Sequence, residues 1–289
     1  MAVAEGGDER RIRADEPTGV LHPANLSRYD ARWIDPDPRV ADVVDQYWAV
    51  RWSLDDGEMI DQAIIDLPAI NLTIEAGDVP AGLLVTGLHE RAWFRRITGT
   101  GDVFAIRLRP AGLAVLSSLR PEDLVNQTIP ITAELDAGLH ELMTRAAGER
   151  TAESRSRAVN DAIADRMRQN PPQASHLLAN RVLDELRARA YNRTSTPLAE
   201  RFGISERTIQ RALSQTLGIG PKQVARRIRL QEAAQAIAIQ DDDRLTELAV
   251  QLGYSDQAHL TSDFRATTGT TPGAYRRILR QLTASAEHR

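Results

Sequence analysis

Apolar positions between residues 40 and 130 recur with the period of a strand. In AINLTIEAG (69–77), Ile70, Leu72 and Ile74 alternate with Asn71, Thr73 and Glu75, which is the two-residue period of a half-buried strand. ADVVDQYWAVRWSL (41–54) alternates in part. LLVTGL (83–88) and DVFAIRLRP (102–110) are short apolar runs bounded by Gly and Pro, so these segments also predict strands. ITGTGDVF (97–104) predicts a turn between strands. The texture then changes: AGLAVLSSL (111–119) and most of 132–168 are rich in Ala, Leu, Glu and Arg and predict helices, ended by Pro171-Pro172. A helix is expected over 175–190, where Leu177, Leu178, Val182, Leu183 and Leu186 fall on one face. Residues 20–36, with His22-Pro23 and the Pro36–Pro38 pair, predict irregular chain, and the polar stretch 1–19 predicts a disordered tail.

The C-terminal third contains an internal repeat. LAERFGISERTIQRALSQTLGIGPKQVARR (198–227) is echoed by LAVQLGYSDQAHLTSDFRATTGTTPGAYRR (248–277). Leu198-Ala199, Gly203 and Ser205 match Leu248-Ala249, Gly253 and Ser255, and Gly218 and Pro221 match Gly269 and Pro272 after one inserted residue. Two copies are too few for a stacked solenoid. Each copy predicts a helix, a turn and a second helix. Leu198, Ala199 and Phe202 face inward, Gly203 ends the first helix in a left-handed conformation, and Ser205 caps the next. That second helix buries Ile209, Leu213 and Leu217 and turns Arg207, Gln210, Arg211 and Ser214 outward. In the second copy Leu245, Leu248, Ala249, Leu252, Leu260 and Phe264 are expected inside and Ser255 is the expected cap. Gln257, Ala258, Thr261, Ser262 and Arg265 are expected outside.

Such a frame suits DNA. A helix-turn-helix lays its second helix in the major groove, with residues near its N-terminal end at base edges. Arginine can donate two bonds to guanine and glutamine can pair with adenine. Arg193, Arg201, Lys222, Arg226, Arg227, Arg276, Arg277 and Arg280 are candidate phosphate contacts, which position a protein without reading sequence; Arg265 joins Arg201, Lys222, Arg226 and Arg276 in the preferred set. Between the copies, GPKQVARRIRLQEAAQAIAIQ (220–240) opens with Pro221 at a favoured first-turn position and predicts an Ala-rich helix about 30 Å long. Successive major-groove faces on one side of a duplex lie roughly 34 Å apart, so a rigid helix of this length could set both readers on one face. It is equally a core helix of its domain.

Composition sharpens this picture. The chain has 289 residues, 42% hydrophobic and 26% charged, which is enough for two globular domains with sizeable cores. Net charge is −4, yet residues 191–280 hold 13 Lys+Arg against 9 Asp+Glu, a net of +4 that leaves −8 on the rest. The third that carries the repeat is therefore basic on an acidic protein. There is no cysteine, which excludes disulfides, thiolate metal sites and cysteine nucleophiles and fits a reducing cytoplasm. No apolar run approaches the roughly 20 residues of a membrane span. The expected organisation is a tail (1–19), a β-rich domain (20–130), a helical connector (131–190), an all-α domain (191–280) opened by YNRTSTP, and a tail (281–289). The fold class is α+β, with a cupin-like form among those considered for the β-rich domain and two helix-turn-helix units joined by a long helix in the all-α one.

The stretches LAERFGISERTIQRALSQTLGIGPKQ, RIRLQEAAQAI and LTELAVQLGYSDQAHLTSDFRATTGTTPGAYRR resemble the AraC/XylS family of transcription regulators over about residues 190–280. The Gly-aromatic-Ser-Asp-Gln run and the later Thr-Pro-x-x-Tyr-Arg are the more specific part. The resemblance implies a seven-helix domain with two recognition helices. By position it implies base-facing residues Arg207, Thr208, Gln210 and Arg211 in the first unit and Gln257, Ala258, His259, Thr261 and Ser262 in the second. Ser262 stands where the family often has Arg, and Leu260 replaces a usual aromatic, so the first unit is ranked the stronger reader. YWAVRW, LPAINLTIE and TGTGDVFAIRLRPAG resemble a domain often fused to such units. The resemblance implies promoter DNA as partner, ligand sensing or dimerisation by the N-terminal half, and contact with RNA polymerase.

Other chemistry is weaker. Six histidines are scattered without H-x-x-x-H or H-E-x-x-H spacing, so no metal is expected. Gly99-x-Gly101 lacks the rest of a phosphate loop and predicts a hairpin turn. Ser117-Ser118 has no nucleophile-elbow context. No catalytic residue and no cofactor are assigned. Tyr47, Trp48, Trp52, Trp93 and Phe94 predict core packing first and a ligand pocket second. Asp241-Asp242-Asp243 predicts a loop and cap before the second unit. The competing reading is a small-molecule-binding or enzymatic N-terminal domain with a helical protein-interaction module.

Overall fold

The structure, a computed structural model, describes residues 9–13, 16, 18–77, 79, 81–189, 196–239 and 244–287, with side chains described as far as Gln281. The N-terminal half supplies β1 (Glu9–Arg11), β2 (Asp30–Ile34), β3 (Val44–Ser53), β4 (Ile60–Ile64), β5 (Asn71–Gly77), β6 (Leu83–Thr86), β7 (Trp93–Ile97), β8 (Thr100–Leu108), the short helix α1 (Gly112–Leu116) and β9 (Thr128–Pro130). Seven strands form one antiparallel sheet in the order β1-β2-β3-β8-β5-β6-β9, and β4 pairs with β7 as a separate ribbon. The four expected strands are present. Sequence reading missed β2 in the supposedly irregular 20–36 stretch. It also missed β4 and β7, whose IDQAI and WFRRI carry too few apolar positions to show a period. Glu9–Arg11, expected in a disordered tail, pair with β2.

Alternation along β3 divides the aromatic cluster. Tyr47 faces one side of the sheet and stacks on Phe104 at 5.6 Å. Trp48 and Trp52 face the other, as a two-residue period requires. The Tyr47 side is covered by α2 (Ala133–Ala147) and α3 (Ala152–Gln169). Leu139, Leu142, Met143, Val159 and Ile163 from these helices share a core with Leu72, Val85, Ile106 and Leu108. The Tyr47 hydroxyl donates to Asn160 Oδ1 of α3 at 2.7 Å, which satisfies a buried phenol. Both helices lie in the stretch expected to be a connector, and both are part of the sheet's own core. On the Trp52 side, Trp33, Leu54, Ile60 and Ile97 close a second cluster beneath the ribbon. Tyr47, Trp33 and Trp52 are thus core residues, while Phe94 is 63% exposed.

The next helix, α4 (Ala174–Ala188), straddles the two halves. Buried Asn180 accepts from the Ala111 backbone N–H at 3.0 Å and donates to the Asp42 carbonyl at 2.9 Å. Arg187 makes a two-pronged bond to Asp45 at 2.9 and 3.1 Å, beside the irregular step in β3 between Val44 and Gln46. Burial alone would raise the Asp45 carboxyl, but the guanidiniums of Arg187, Arg107 and Arg109 hold it below the usual carboxylate range. The opposite face of α4, with Ala179, Val182 and Leu183, packs against the first repeat unit.

The repeat folds as α5 (Leu198–Phe202), α6 (Glu206–Leu217), α7 (Pro221–Ile239), α8 (Leu245–Gln251), α9 (Gln257–Thr268) and α10 (Pro272–Glu287). With α4 these make seven helices among the described residues. The final helix runs through most of the expected 281–289 tail. Gly203 takes φ 63° at the end of α5, and Gly253 takes φ 91° after α8, positions where a side chain would be strained. Ser205 caps α6 by accepting from Thr208 N–H at 3.2 Å. In the second unit the cap is Asp256, which accepts from His259 N–H at 2.8 Å; Ser255, the expected cap, instead donates to the Asp256 carboxylate at 3.1 Å. Both are good capping residues, and the ionised one bonds more strongly to a backbone N–H. Asp241-Asp242-Asp243 lie outside the described residues, as does most of YNRTSTP.

Asn180→Ala strands the buried Ala111 N–H and removes the donor to the partly buried Asp42 carbonyl, so it is expected to destabilise the chain by about 1–3 kcal/mol, read as a shifted urea midpoint at unchanged m-value. A loss under about 0.5 kcal/mol would show that α4 is not anchored through this side chain. Asp256→Ala is expected to lower the thermal midpoint at neutral pH, whereas Asp256→Asn keeps most of the cap. The Asp256 carboxyl is held low chiefly by the His259 backbone N–H. Its contribution is therefore present above the ordinary aspartate value and fades as pH falls through the depressed folded value. The gap between wild type and Asp256→Ala should narrow in acid; a gap independent of pH would contradict the assignment.

Candidate nucleic-acid interface

Two helices carry the outward polar faces. On α6, Arg207, Gln210 and Arg211 are exposed, and Thr208 and Ser214 are half-buried. The inner side of the same helix is filled by Ile209, Ala212, Leu213 and Leu217, so the polar edge follows from the 3.6-residue period. The Thr208 hydroxyl is 2.9 Å from Ser205 Oγ and supports the cap. The Gln210 amide is folded against Gly220: a Cβ on that glycine would meet Gln210 Nε2 at 2.5 Å. Gln210 must swing outward to reach a base. Arg207 and Arg211 already point to solvent at the capped end, where the helix N-terminus itself favours an anion.

On α9, Gln257, Ala258, His259, Ser262 and Arg265 are exposed and Thr261 is half-buried. Leu260 and Phe264 are fully buried beneath them. His259 packs edge-on to Tyr254, with ring centroids 5.1 Å apart, and its Nδ1 lies 3.2 Å from Ser255 Oγ. The Gln257 amide oxygen accepts from the Thr246 hydroxyl at 2.8 Å. Each face thus holds two of its side chains in internal hydrogen bonds, since Ser214 on α6 also donates to the Arg211 carbonyl at 3.2 Å, and Arg265 is the cation of the second.

The expected phosphate contacts divide. Lys222 and Arg265 are exposed. Arg201 is paired with Glu185 at 3.0 Å and Arg226 with Asp263 at 3.1 Å, so each must leave a carboxylate to meet a phosphate. Two expectations are corrected. Arg276 is only 6% exposed, packed within the second unit, and Arg227 is 4% exposed. Arg227 is turned inward, donating to the backbone carbonyls of Asp66 at 3.0 Å and of Glu90 and Arg91 at 3.4 Å. Both sit on the inner stripe of a helix, where an arginine is indistinguishable in sequence from one on the outer edge. Arg277 and Arg280 are exposed, and Arg193 lies outside the described residues.

One wall of the interface comes from an unexpected place. A groove of about 1130 Å³ runs along α9, with Gln257, Ala258, Thr261, Ser262 and Arg265 on one side and Arg91, Ala92 and Phe94 on the other. The latter belong to the loop before β7 and to β7 itself. No periodicity could have placed them there, because the contact joins segments more than 160 residues apart. Among the described residues no group of three or more His, Cys, Asp or Glu is placed to hold a metal ion, and no helix is long and apolar enough to cross a membrane.

Comparison with known proteins agrees with this geometry. A model described as a helix-turn-helix domain matches residues 198–278, and a model for a domain of unknown function matches 32–130. The HTH-type transcriptional activator RhaS of Pectobacterium carotovorum subsp. carotovorum (strain PC1) is 37% identical over 79 residues, covering 27% of this chain and 28% of that protein. RhaS of Escherichia fergusonii is 35% identical over 75 residues, 26% of this chain and 27% of its own length. The chain thus spans little more than a quarter of the length of these curated relatives. Among solved structures, ToxT from Vibrio cholerae O395 aligns over 88% of this chain and 98% of its own, at 10% identity and a TM-score of 0.38, a likeness too loose to bear on the fold. The repeated frame, the outward polar edges of its two helices and the matched segment agree: residues 198–278 are a helix-turn-helix domain of the AraC type, and the likeness to the HTH-type activators is confined to that segment.

Proposed function

We propose that this chain is a sequence-specific transcription regulator that lays α6 and α9 into adjacent major-groove segments of double-stranded promoter DNA. One observation carries the reading: two copies of one capped frame, joined by α7, each bury an apolar stripe and leave a polar edge in solvent. At 19 residues, α7 is about 28 Å long, close to the roughly 34 Å between successive groove faces. In this reading Arg207, Thr208, Gln210, Arg211 and Ser214 read one half-site, and Gln257, Ala258, His259, Thr261 and Ser262 the other. Lys222 and Arg265 hold the backbone, joined by Arg201 and Arg226 once these release their carboxylates. The α6 face supplies most of the discrimination, because its two free arginines sit at the capped end.

The N-terminal half acts as the control element. Arg227 offers the route, since it ties α7, which carries both units, to three carbonyls of that half. A small-molecule effector, a second copy of the chain or RNA polymerase would act through it, and the setting is the cytoplasm. The reading requires neither catalysis nor a metal or cofactor.

Footprinting of the full chain on genomic fragments tests the proposal; protection of no fragment at low salt would sink it. On a protected site, Arg211→Ala is expected to weaken specific binding by about 1–3 kcal/mol and to relax preference at one base pair. Uniform weakening across all sequences would reassign Arg211 to the backbone.

A further inference from the structure

The second recognition helix is not flanked by solvent alone. The loop between β6 and β7 is held to the C-terminal turn of α9 by a bond from the Ala92 N–H to the Thr267 carbonyl at 2.8 Å. Ala92 is buried in the same apolar cluster as Phe264 and Leu260, so the loop is fixed against the helix. Arg91 and Phe94 rise beside this anchor and form the far wall of the groove along α9. The groove is lined by two guanidiniums, Arg91 and Arg265, by hydroxyls and by small apolar groups, with no carboxylate. The acid on α9 that could neutralise it, Asp263, is held by Arg226.

We propose that Arg91 is a DNA-backbone contact supplied by the N-terminal domain, and that the groove between Arg91 and Arg265 receives the phosphodiester strand beside the segment read by α9. The proposal rests on the regulator reading above. Its geometry comes from lengths. At 12 residues, α9 is about 18 Å long, whereas the major groove is about 12 Å wide. With the capped end among the bases, the last turn of α9 projects past the rim, where the phosphates run. Arg91 stands at that last turn. A free guanidinium there meets a phosphate oxygen with two parallel bonds. Phe94 presents an exposed ring next to it, a flat apolar surface for the sugar edge. The N-terminal domain then belongs to the DNA-binding surface itself, and any shift of the β6–β7 loop changes affinity directly.

The test uses the full chain and the duplex that the wild-type chain protects, with affinity measured by fluorescence anisotropy over a range of salt concentrations. Losing one phosphate contact makes the slope of log affinity against log salt shallower by about 0.9. Arg91→Ala is expected to show that change with base preference intact, and Arg91→Lys to keep the wild-type slope. Arg150→Ala, an exposed arginine on the loop between α2 and α3, should leave it unaltered. An unchanged slope in Arg91→Ala overturns the proposal while leaving the regulator reading in place. Tighter binding by Arg91→Ala or Phe94→Ala also overturns it, because the loop would then be an obstruction. A wild-type chain that binds no duplex removes both.

Discussion

A single helix belongs to the cores of both helix-turn-helix units. Val224 and Ile228 of α7 pack with Ile209, Leu213 and Leu217 of the first. Along the two turns that follow, Leu230, Ala233, Ala234 and Ile237 pack with Leu248, Leu260, Phe264 and Tyr275 of the second. Protein interiors are close-packed and transmit displacement with little compression. Neither α6 nor α9 can therefore turn relative to α7 without opening a void, and the separation of the two polar edges is a property of one rigid rod. The alanines along that rod let α10 approach closely, so a helix of modest hydrophobicity still closes a core.

The same rod carries the junction with the N-terminal half. Arg227 leaves the α7 surface to meet backbone carbonyls around Asp66 and Glu90, and Leu21, Ala63, Ile65 and Ala92 complete the apolar cluster of the second unit. Burial raises the Asp66 carboxyl, opposed by the neighbouring Arg227 and Arg107, and burial likewise lowers Arg227, opposed by Asp66. An arginine nonetheless stays charged in a protein. Pulling the halves apart strands no charge, because water replaces the partners; shifting them by a few ångströms inside the contact does strand one. The junction thus tolerates few relative orientations.

How much of this was legible in the sequence depended on the range of the cause. Helix edges set by a local period were readable: Ile209, Leu213 and Leu217 against Arg207 and Arg211 needed only residues within three turns. Left-handed Gly203 and the cap Ser205 were equally local. Strands with clean alternation, such as the one through Ile70, Leu72 and Ile74, were visible, whereas β4 and β7 were not, because their apolar residues are few and their partner lies about 30 residues away. The second cap was misplaced by one residue because two competent acceptors are adjacent. The destinations of Arg227 and Arg276 were illegible for a different reason: snorkelling and inward arginines share the same helical positions, and only the packed partner decides between them. Tyr47 and Trp48 were grouped by proximity in sequence, although adjacent residues of a strand face opposite ways.

One glycine shows how far the two halves have been shaped to each other. Gly218, at φ 76°, ends α6 with its bare Cα against the Pro121 carbonyl. A Cβ there would lie 2.7 Å from that oxygen and equally close to a Val125 methyl. The turn that ends α6 is thus moulded to a short 3-10 turn belonging to the other half of the chain. Recombination that joined residues 198–278 to a foreign N-terminal domain would keep every outward side chain of α6 yet lose the surface on which the end of that helix is seated. Chimeras made by cutting between α4 and α5 would divide the chain across this seat.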